Sequence, residues 1–453
     1  MSLVSRNPAT GRRLAIFRTH SRGQIGRLLA RAAKAHLAWR ALAPPARAKH
    51  LRAVARELLA QRDELAALAT SEMGKPIAQA RGEIEKCARA CEYFAAHGPA
   101  FLADEIPPDA PSGARVVFES LGVVLAIMPW NFPFWQVFRA AAPALIGGNT
   151  MLLKHAPNVT GCALAIEKLF ARAGVPPGVF QILRTGLAPI PALIADPRVR
   201  AVTFTGSTTA GKTVAALAAA AMKPGVFELG GSDPYLVLDD ADLALAAETC
   251  AAARLINSGQ SCASAKRFIV ARSVLADFER LVTARIAARR TGDPADPAID
   301  IGPLARADLR DNLHRQITSS VRAGARLLLG GAPQSGPGFF YAPTLLTGVR
   351  PGMPAADEEL FGPAAAILVA RDDAEAVRLA NATPYGLGAA IFTRNARRAR
   401  ALVPQLHAGF VAINTFVRSD PSLPFGGVKE SGVGRELGVH GLRAFLNIKT
   451  VVS

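Results

Sequence analysis

Cys262 is the residue of this sequence best suited to covalent chemistry. It lies in NSGQSCASAKR, residues 257–267, between a turn of small residues and the start of a basic strand. A thiolate adds to a carbonyl carbon and later leaves from a thioester, so a cysteine in such a turn can be a nucleophile. It can equally be one of five cysteines that fill space in a large core. The other segments of the chain decide between these interpretations.

Two more side chains have the chemistry that a cysteine nucleophile needs. Asn131 lies in PWNFP (129–133), where its amide N–H could stabilise an oxyanion or where it could simply form a turn. Glu228 closes an apolar run just before two glycines. A carboxylate at a strand end that faces an apolar cleft has a raised pKa, which suits a general base, whereas a solvated or ion-paired carboxylate is the alternative.

The segment GSTTAGKT (206–213) matches the phosphate-binding pattern of P-loop nucleotidases letter for letter. Downstream, YLVLDD resembles a strand ending in an Asp that could hold Mg²⁺. The loop interior is poor in glycine and its strand comes late in the sheet order, so a P-loop NTPase is disfavoured. A glycine turn entering a helix still makes an anion site for a dinucleotide pyrophosphate.

The elements that must position these residues alternate between helices and strands. Residues 22–100 are typical of amphipathic helices, broken at PP (44–45) and GKP (74–76), and RVVFESLGVVLAIM is typical of paired strands. Further strands are predicted at TMLLK, VFQIL, AVTFTG, GVFEL, PYLVLDD, KRFIVA, RLLLGG, AAILVA, GAAIF, FVAIN and NIKTVVS. Helices are predicted over 160–173, near 188–195, and over 209–222, 241–257, 274–289 and 373–381. This alternation predicts βαβ units in two α/β domains that meet near residue 231, with mostly parallel, doubly wound sheets.

Composition excludes several classes of protein. The net charge is +18, but Lys and Arg are spread along alanine-rich helices, so no nucleic-acid partner is expected and the charge instead attracts anionic substrates. No apolar run approaches the length of a membrane span, and the first residues lack the apolar core of a secretory signal. Five cysteines without framework spacing indicate reduced thiols in a cytoplasm, and no metal-ligand cluster is present.

Seven stretches in one order resemble the aldehyde dehydrogenase superfamily. They are PWNFP, LLK (152–154), FTGSTTAGK (204–212), FELGGSDP (227–234), NSGQSC (257–262), ELFGP (359–363) and PFGGVKESGVGRELG (424–438). The resemblance covers nearly the whole chain, from NPATG (7–11) and EMGKP (72–76) onward. Within the superfamily, KHAPN, ELGGSDP and the short N-terminus are most similar to short bacterial succinate-semialdehyde dehydrogenases.

The resemblance implies an α/β fold with three parts. A Rossmann-type dinucleotide-binding domain would comprise residues 1–110 and 128–230, and a catalytic domain would comprise residues 231–428. A small β oligomerisation element would combine residues 111–127 and 429–453, including the tail strand. Family members with such a tail form homodimers or homotetramers.

The resemblance also implies roles for individual residues. Cys262 is the nucleophile, and Asn131 stabilises the oxyanion together with the backbone N–H of Cys262. Glu228 is the base that activates water to hydrolyse the thioester, and Glu436 takes part in proton relay. The residues implied in binding NAD or NADP are Trp130, Lys154, Gly206, Ser207, Gly211, Leu229, Glu359 and Phe361. Many NAD-preferring members carry a glutamate where this chain has Pro157, so NADP should be tolerated.

Arg139 favours an aldehyde that carries a carboxylate. It lies eight residues beyond Asn131, an offset at which mammalian-type succinate-semialdehyde dehydrogenases bind the substrate carboxylate with an arginine. A second arginine is expected six residues before the cysteine, but Ile256 stands there. Arg418, with Ser419, could substitute for it. The predicted substrate is therefore succinate semialdehyde, giving succinate.

Other functions remain open alternatives at this point. A broad-specificity enzyme would act on other small or aromatic aldehydes. A CoA-acylating relative would pass the acyl group to CoA, which Glu228 and its ELGGS context disfavour. A non-catalytic binding protein would leave nucleophile, base and oxyanion donor without a role.

Overall fold

The computed structural model describes residues 2–453, and its N-terminal part is a hairpin followed by four helices. The hairpin strands are β1 (Ser2–Arg6) and β2 (Arg13–Arg18), and the helices are α1 (Arg22–Ala41), α2 (Pro44–Ala60), α3 (Arg62–Met73) and α4 (Ile77–Phe101). The predicted breaks are confirmed. Prolines open α2, where a missing N–H costs nothing, and Gly74 ends α3 at φ 80°. An additional break at Gln61 and the hairpin were not predicted.

A six-stranded sheet follows, in the order β16-β8-β7-β4-β5-β6. Its strands are β4 (Val123–Met128), β5 (Thr150–His155), β6 (Phe180–Ile182), β7 (Val199–Thr205), β8 (Gly225–Glu228) and β16 (Gly432–Val433). The associated helices are α5 (Trp135–Ile146), α6 (Thr160–Arg172), α7 (Ile190–Ala195) and α8 (Thr208–Ala220). All neighbours pair in parallel except β16 with β8, so the predicted βαβ arrangement is confirmed.

A seven-stranded sheet forms the second half, in the order β11-β12-β13-β10-β9-β14-β15. Its strands are β9 (Asp233–Val237), β10 (Ala265–Ala271), β11 (Arg326–Leu329), β12 (Thr344–Thr347), β13 (Ala364–Ala370), β14 (Gly388–Phe392) and β15 (Phe410–Ile413). The later helices are α9 (Leu243–Leu255), α10 (Leu275–Ala287), α11 (Ala307–Arg322), α12 (Pro354–Asp357), α13 (Asp373–Asn381), α14 (Ala396–Leu402) and α15 (Gly438–Arg443). The chain passes from the six-stranded to the seven-stranded sheet between β8 and β9.

The prediction that RVVFES pairs with GVVLAIM is wrong. Strand β3 (Arg115–Ser120) instead pairs antiparallel with the tail strand β17 (Leu446–Val451), while β4 lies inside the six-stranded sheet between β5 and β7. Every residue of β4 is buried, as in a parallel strand covered on both faces, whereas β3 is partly exposed. Residues 123–127 and strand β16 therefore belong to the six-stranded sheet and not to the predicted oligomerisation element.

The parallel sheet brings the predicted functional segments to one edge. Strands β4, β5, β7 and β8 end at Met128, His155, Thr205 and Glu228, directly before or within PWNFP, KHAPN, GSTT and ELGG. The carboxyl ends of parallel strands are where open α/β sheets bind ligands. Strands β9 and β10 of the other sheet start just after ELGGS and Cys262, so the two domains meet at this edge.

Candidate active site

A strained turn between α9 and β10 positions Cys262. Asn257, Ser258 and Gly259 have φ values of 54°, 54° and 75°, so three consecutive residues adopt positive φ. Such strain persists only where surrounding contacts impose it. The Asn257 amide donates to the backbone oxygen of Asn131 at 2.7 Å, and buried Arg254 donates to the carbonyl oxygens of Gly259 and Gly362. The turn is thereby tied directly to the loop that carries Asn131.

Cys262 lies where two cavities meet. One is a cleft of about 370 Å³, also lined by Trp130, Gly206 and Phe361. The other is a smaller pocket of about 90 Å³, also lined by Arg139. The lining of both cavities includes Cys262. A ligand in the cleft and a ligand in the pocket can therefore both reach Cys262.

Burial and nearby cations act in opposite directions on the Cys262 thiol. Burial raises its pKa to about 11, while the charges of Arg139 and Lys266 lower it. The Lys266 Nζ donates to the backbone oxygens of Ser261 at 3.0 Å and Cys262 at 2.6 Å, and to Glu359 at 3.1 Å. Sequence reasoning missed Lys266, although its position four residues after the cysteine, at the start of a strand, was a usable signal.

Asn131 borders the larger cleft beside Cys262 and is 4% exposed. Its Nδ2 donates to the backbone oxygen of Gln260 at 3.1 Å, which uses one of its two N–H bonds. The second N–H is available to an oxygen in the cleft. The predicted oxyanion donor is thus beside the predicted nucleophile.

Two buried side chains fix the loop of Asn131. Burial lowers the pKa of His155 to about 4, so its ring is neutral. Its Nδ1 accepts from the N–H of Ala156 at 2.9 Å, so the hydrogen is assigned to Nε2, which donates to the Pro133 oxygen at 2.8 Å. Glu83, paired with buried Lys75, accepts the backbone N–H groups of Phe134 and Trp135, both at 2.8 Å. The EMGKP segment thus supports the active site from a distance along the chain.

Glu228 is an unpaired carboxyl group at the end of β8. It is 1% exposed, and within residues 2–453 neither carboxyl oxygen has a hydrogen-bond partner. Burial raises its pKa well above the usual range, with Arg139 opposing this and Glu436 adding to it. An unpaired carboxyl with a raised pKa has the properties of a general base or acid.

Arg139 is paired with Glu436. Its Nε contacts a carboxylate oxygen of Glu436, and its Nη2 donates to the Thr205 hydroxyl at 3.3 Å. The guanidinium also lies 5.2 Å from the centre of the Phe425 ring. Burial raises the pKa of Glu436, while Arg139 acts to lower it. Arg139 borders the small pocket, but a carboxylate of the protein already balances its charge.

Arg418 and Ser419 also border the small pocket, from the segment after β15. Arg418 is exposed and lies 5.6 Å from the centre of the Phe416 ring. The Ser419 hydroxyl accepts from Lys86 Nζ at 2.8 Å and from the Trp135 indole at 3.1 Å. Lys86 was not among the predicted site residues, because nothing local in helix α4 distinguishes it from a surface lysine.

Most of the predicted cofactor-binding residues line the larger cleft. Trp130 and Phe361 meet edge to face at 5.7 Å, and Glu359 accepts the Gly231 N–H at 3.1 Å. Lys154 ends β5 outside that lining; burial lowers its pKa, and its side chain has no hydrogen-bond or ion-pair partner in the described chain.

The glycine turn between β7 and α8 fits a phosphate-bearing ligand. Gly206 and Ser207 line the cleft, and the Ser207 side chain makes no capping bond, so N–H groups of the first turn of α8 are available to an anion. Gly211 faces inward, where a Cβ would collide with Leu229. Gly211 thus permits close packing of α8 on Leu229, which itself lines the cleft.

The P-loop alternative is not supported by the geometry. Lys212, the lysine of the pattern, is exposed and pairs with Glu430 at 2.7 Å. Asp239 and Asp240, the candidate Mg²⁺ ligands, follow β9 in the other sheet and pair with Arg398. The segment therefore matches the P-loop pattern in sequence, but its lysine and the candidate Mg²⁺ ligands are not placed to bind a nucleotide together.

The fold and these motifs define a member of a known enzyme family. Residues 2–451 match the model of the aldehyde dehydrogenase family, and the chain belongs to that family.

Individual relatives are similar over their whole lengths. The chain is 47% identical to the succinate semialdehyde dehydrogenase [NAD(P)+] Sad of Escherichia coli, covering 99% of this chain and 97% of that protein. It is 46% identical to a probable succinate-semialdehyde dehydrogenase [NADP(+)] of Synechocystis, covering 100% and 99%. The crystal structure of succinic semialdehyde dehydrogenase from Streptococcus pyogenes with NADP+ superposes with a TM-score of 0.97 at 36% identity, covering 100% and 99%.

Among residues 2–453, no helix combines the length and the apolar character that crossing a membrane requires.

Proposed function

We propose that this protein oxidises succinate semialdehyde to succinate, with NAD+ or NADP+ as the oxidant and a thioester on Cys262 as the intermediate. The observation that carries the proposal is that Cys262 lines both the larger cleft and a small pocket bordered by cationic side chains. The names of the curated relatives support the same substrate and the same pair of cofactors.

The first half of the reaction uses Cys262 and Asn131. The Cys262 thiol gives its proton to water, and the resulting thiolate adds to the aldehyde carbon. The side-chain N–H of Asn131, with the backbone N–H of Cys262, holds the oxygen that becomes negative. NAD+ or NADP+, when bound in the larger cleft, would supply the acceptor for the hydride that leaves the former aldehyde carbon. As the oxyanion re-forms its carbonyl bond and the hydride leaves, the adduct becomes an acyl thioester on Cys262.

The second half uses Glu228. Its carboxylate takes a proton from a water molecule, the hydroxide adds to the thioester carbon, and the thiolate of Cys262 leaves as the acid is released. The raised pKa of Glu228 suits this role, because a more basic carboxylate removes a proton from water more readily. Glu436 lies in the same buried charge cluster, which is consistent with the predicted proton relay.

Polar groups of this chain that lack a partner in the described structure indicate where the cofactor would bind. Lys154 is a buried cation without a partner in the described chain and is assigned to the adenosine ribose. The first turn of α8 would hold the pyrophosphate, and Glu359 and Phe361 would contact the nicotinamide ribose and ring. No carboxylate stands at Pro157 to repel a 2′-phosphate, which favours acceptance of NADP+ as well as NAD+.

Reduced-cofactor absorbance tests the proposal. The purified protein is assayed with succinate semialdehyde, butanal and benzaldehyde, each with NAD+ and with NADP+, and with Cys262→Ala as the control. The proposal expects the highest kcat/KM with succinate semialdehyde, and succinate as product even when CoA is added. Equal kcat/KM for butanal would favour the broad-specificity alternative. No turnover of any aldehyde by folded protein with a free Cys262 thiol would refute the reaction itself.

We also propose that the β3–β17 sheet joins subunits into a homodimer or homotetramer in the cytoplasm. Strand β17 is largely exposed, and Ile448 and Val452 expose 62% and 66% of their surface, which favours contact with a second copy. All five cysteines are free, as expected in a reducing compartment. Light scattering should give the mass of two or four chains; a monomer would contradict the proposal.

A further inference from the structure

We propose that Lys86 is a specificity-determining residue that binds the carboxylate of the substrate. The inference rests on the proposed function and deepens it, because it names the cation that distinguishes an aldehyde bearing a carboxylate from a neutral one. Lys86 lies on α4 and borders the same small pocket as Cys262. None of the sequence motifs includes it.

The first line of evidence is the state of the other cations in the pocket. The Arg139 guanidinium is in contact with Glu436 and also donates to Thr205. The Arg418 side chain is exposed, where water and salt weaken its attraction for an anion. Ile256, which stands where an arginine was expected, lines the pocket as an apolar wall. Lys86 is therefore the cation in this pocket that is partly buried and has no carboxylate within ion-pair distance among residues 2–453.

The second line of evidence is how Lys86 is held. Its Nζ donates to the Ser419 hydroxyl at 2.8 Å and lies 4.1 Å from the centre of the Trp135 ring. Both partners are neutral, so they orient the ammonium group without cancelling its charge. An ammonium has three N–H bonds, and two remain after the bond to Ser419.

Ser419 adds a donor to the same place. Its oxygen accepts from both Lys86 and Trp135, which uses the two acceptor positions of a hydroxyl. Its own hydrogen is thereby directed away from these two groups and is available to a ligand. Lys86 and Ser419 together offer a carboxylate two N–H donors and one O–H donor. The hydrogen bonds from the Lys86 ammonium are charge-assisted. Ser419 was predicted to bind substrate, and its contact with Lys86 is consistent with that prediction.

The surroundings of Lys86 make its charge sensitive to pH. Burial, with a smaller contribution from Arg139, lowers the pKa of Lys86 to about 8. The charged and titratable groups that face it are Glu83, Cys87 and Arg89 from α4, Arg139 from α5, and Arg418 and Asp420 from the segment after β15. The ammonium form, which a carboxylate requires, is lost as pH rises through this value. A bound carboxylate favours the charged form and raises the pKa again.

The test compares substrate preference in Lys86 variants. The quantity measured is the ratio of kcat/KM for succinate semialdehyde to kcat/KM for butanal. In Lys86→Met and Lys86→Gln the ratio should fall by about tenfold to a hundredfold, mainly through the KM for succinate semialdehyde, since a charge-assisted hydrogen bond is lost. Lys86→Arg should retain most of the preference. Lys34→Met, at an exposed lysine of α1, is the matched control and should leave the ratio unchanged.

A pH series gives an independent readout. In the parent protein the ratio should fall between about pH 7 and about pH 9.5 as Lys86 loses its proton, and in Lys86→Arg it should stay flat, because arginine keeps its charge. An unchanged ratio in Lys86→Met and Lys86→Gln would overturn the inference. Equal loss of both activities would assign Lys86 a structural role and overturn it as well. If the parent protein shows no preference for succinate semialdehyde, the proposed substrate fails instead.

Discussion

Arg139 and Glu436 form an ion pair in the interior of the protein, with 2% and 1% of their side-chain surfaces exposed. The pair joins helix α5 to the segment after β16, so it links two distant parts of the chain beside the active site. Glu228 responds to both charges: Arg139 lowers its pKa and Glu436 raises it. Arg139 therefore organises the carboxylates of the site in addition to bordering the substrate pocket.

Breaking this pair should destabilise the protein. Arg139→Met leaves Glu436 buried without its cation, and loss of one partner of a buried pair costs about 3–5 kcal/mol. The double variant Arg139→Met/Glu436→Leu should regain much of that loss, because Glu436 no longer leaves a buried charge without its cation. The unfolding midpoint in urea measures both. Equal stability of the parent protein and Arg139→Met would show that the pair is not formed.

Glu228→Gln should separate the two halves of the reaction. The amide cannot accept a proton from water, so a burst of reduced cofactor should persist while steady-state turnover falls by about 10²–10⁴-fold. In the parent protein the hydrolytic step should speed up as pH rises through the raised pKa of Glu228, because the base is active when deprotonated. Stopped-flow absorbance resolves the two phases. Full steady-state activity in Glu228→Gln would remove Glu228 from the mechanism.

Alkylation should report the state of the Cys262 thiol. Its pKa is raised to about 11, so the reactive thiolate is scarce at neutral pH in the cofactor-free protein. The rate of modification by iodoacetamide should rise about tenfold per pH unit from about pH 7 to about pH 9. Peptide mapping identifies the modified cysteine, and Cys262→Ser is the control. A rate that is already independent of pH near neutrality would mean that the thiolate is preformed.

Asn131→Ala should lower kcat by about 10²–10³-fold by removing one donor to the oxyanion. Asn312 borders the same cleft but is exposed, so Asn312→Ala is the matched control and should change kcat little. Steady-state kinetics with succinate semialdehyde measures both effects. Similar losses in the two variants would indicate that Asn131 acts through the shape of the cleft.

The sequence alone predicted those candidate site residues that belong to short local motifs. Cys262, Asn131 and Glu228 each occupy a short motif at the end or start of a strand, and the parallel sheet brings such ends together whatever their separation in sequence. The alternation of strands and helices likewise predicted the α/β fold with mostly parallel sheets. These features follow from the period of the pattern and from the rules of βαβ connection.

Contacts between segments that are far apart in the sequence could not be predicted in the same way. RVVFES and GVVLAIM are separated by a short link that is typical of a hairpin, yet the partner of β3 is β17, at the other end of the chain. Lys86, which reaches Ser419 at 2.8 Å, carries no local signal because its surroundings exist only after folding. The same holds for Glu436, whose pairing with Arg139 changes the expected role of that arginine.

The most direct test of the account is to trap the acyl-enzyme. Glu228→Gln is mixed with succinate semialdehyde and NADP+, quenched in acid and examined by mass spectrometry of the intact protein and of its peptides. The account predicts one added succinyl group, located on the peptide that contains Cys262 and absent without cofactor. A reduced cofactor signal with no adduct, or a succinyl group on any other cysteine, would contradict it.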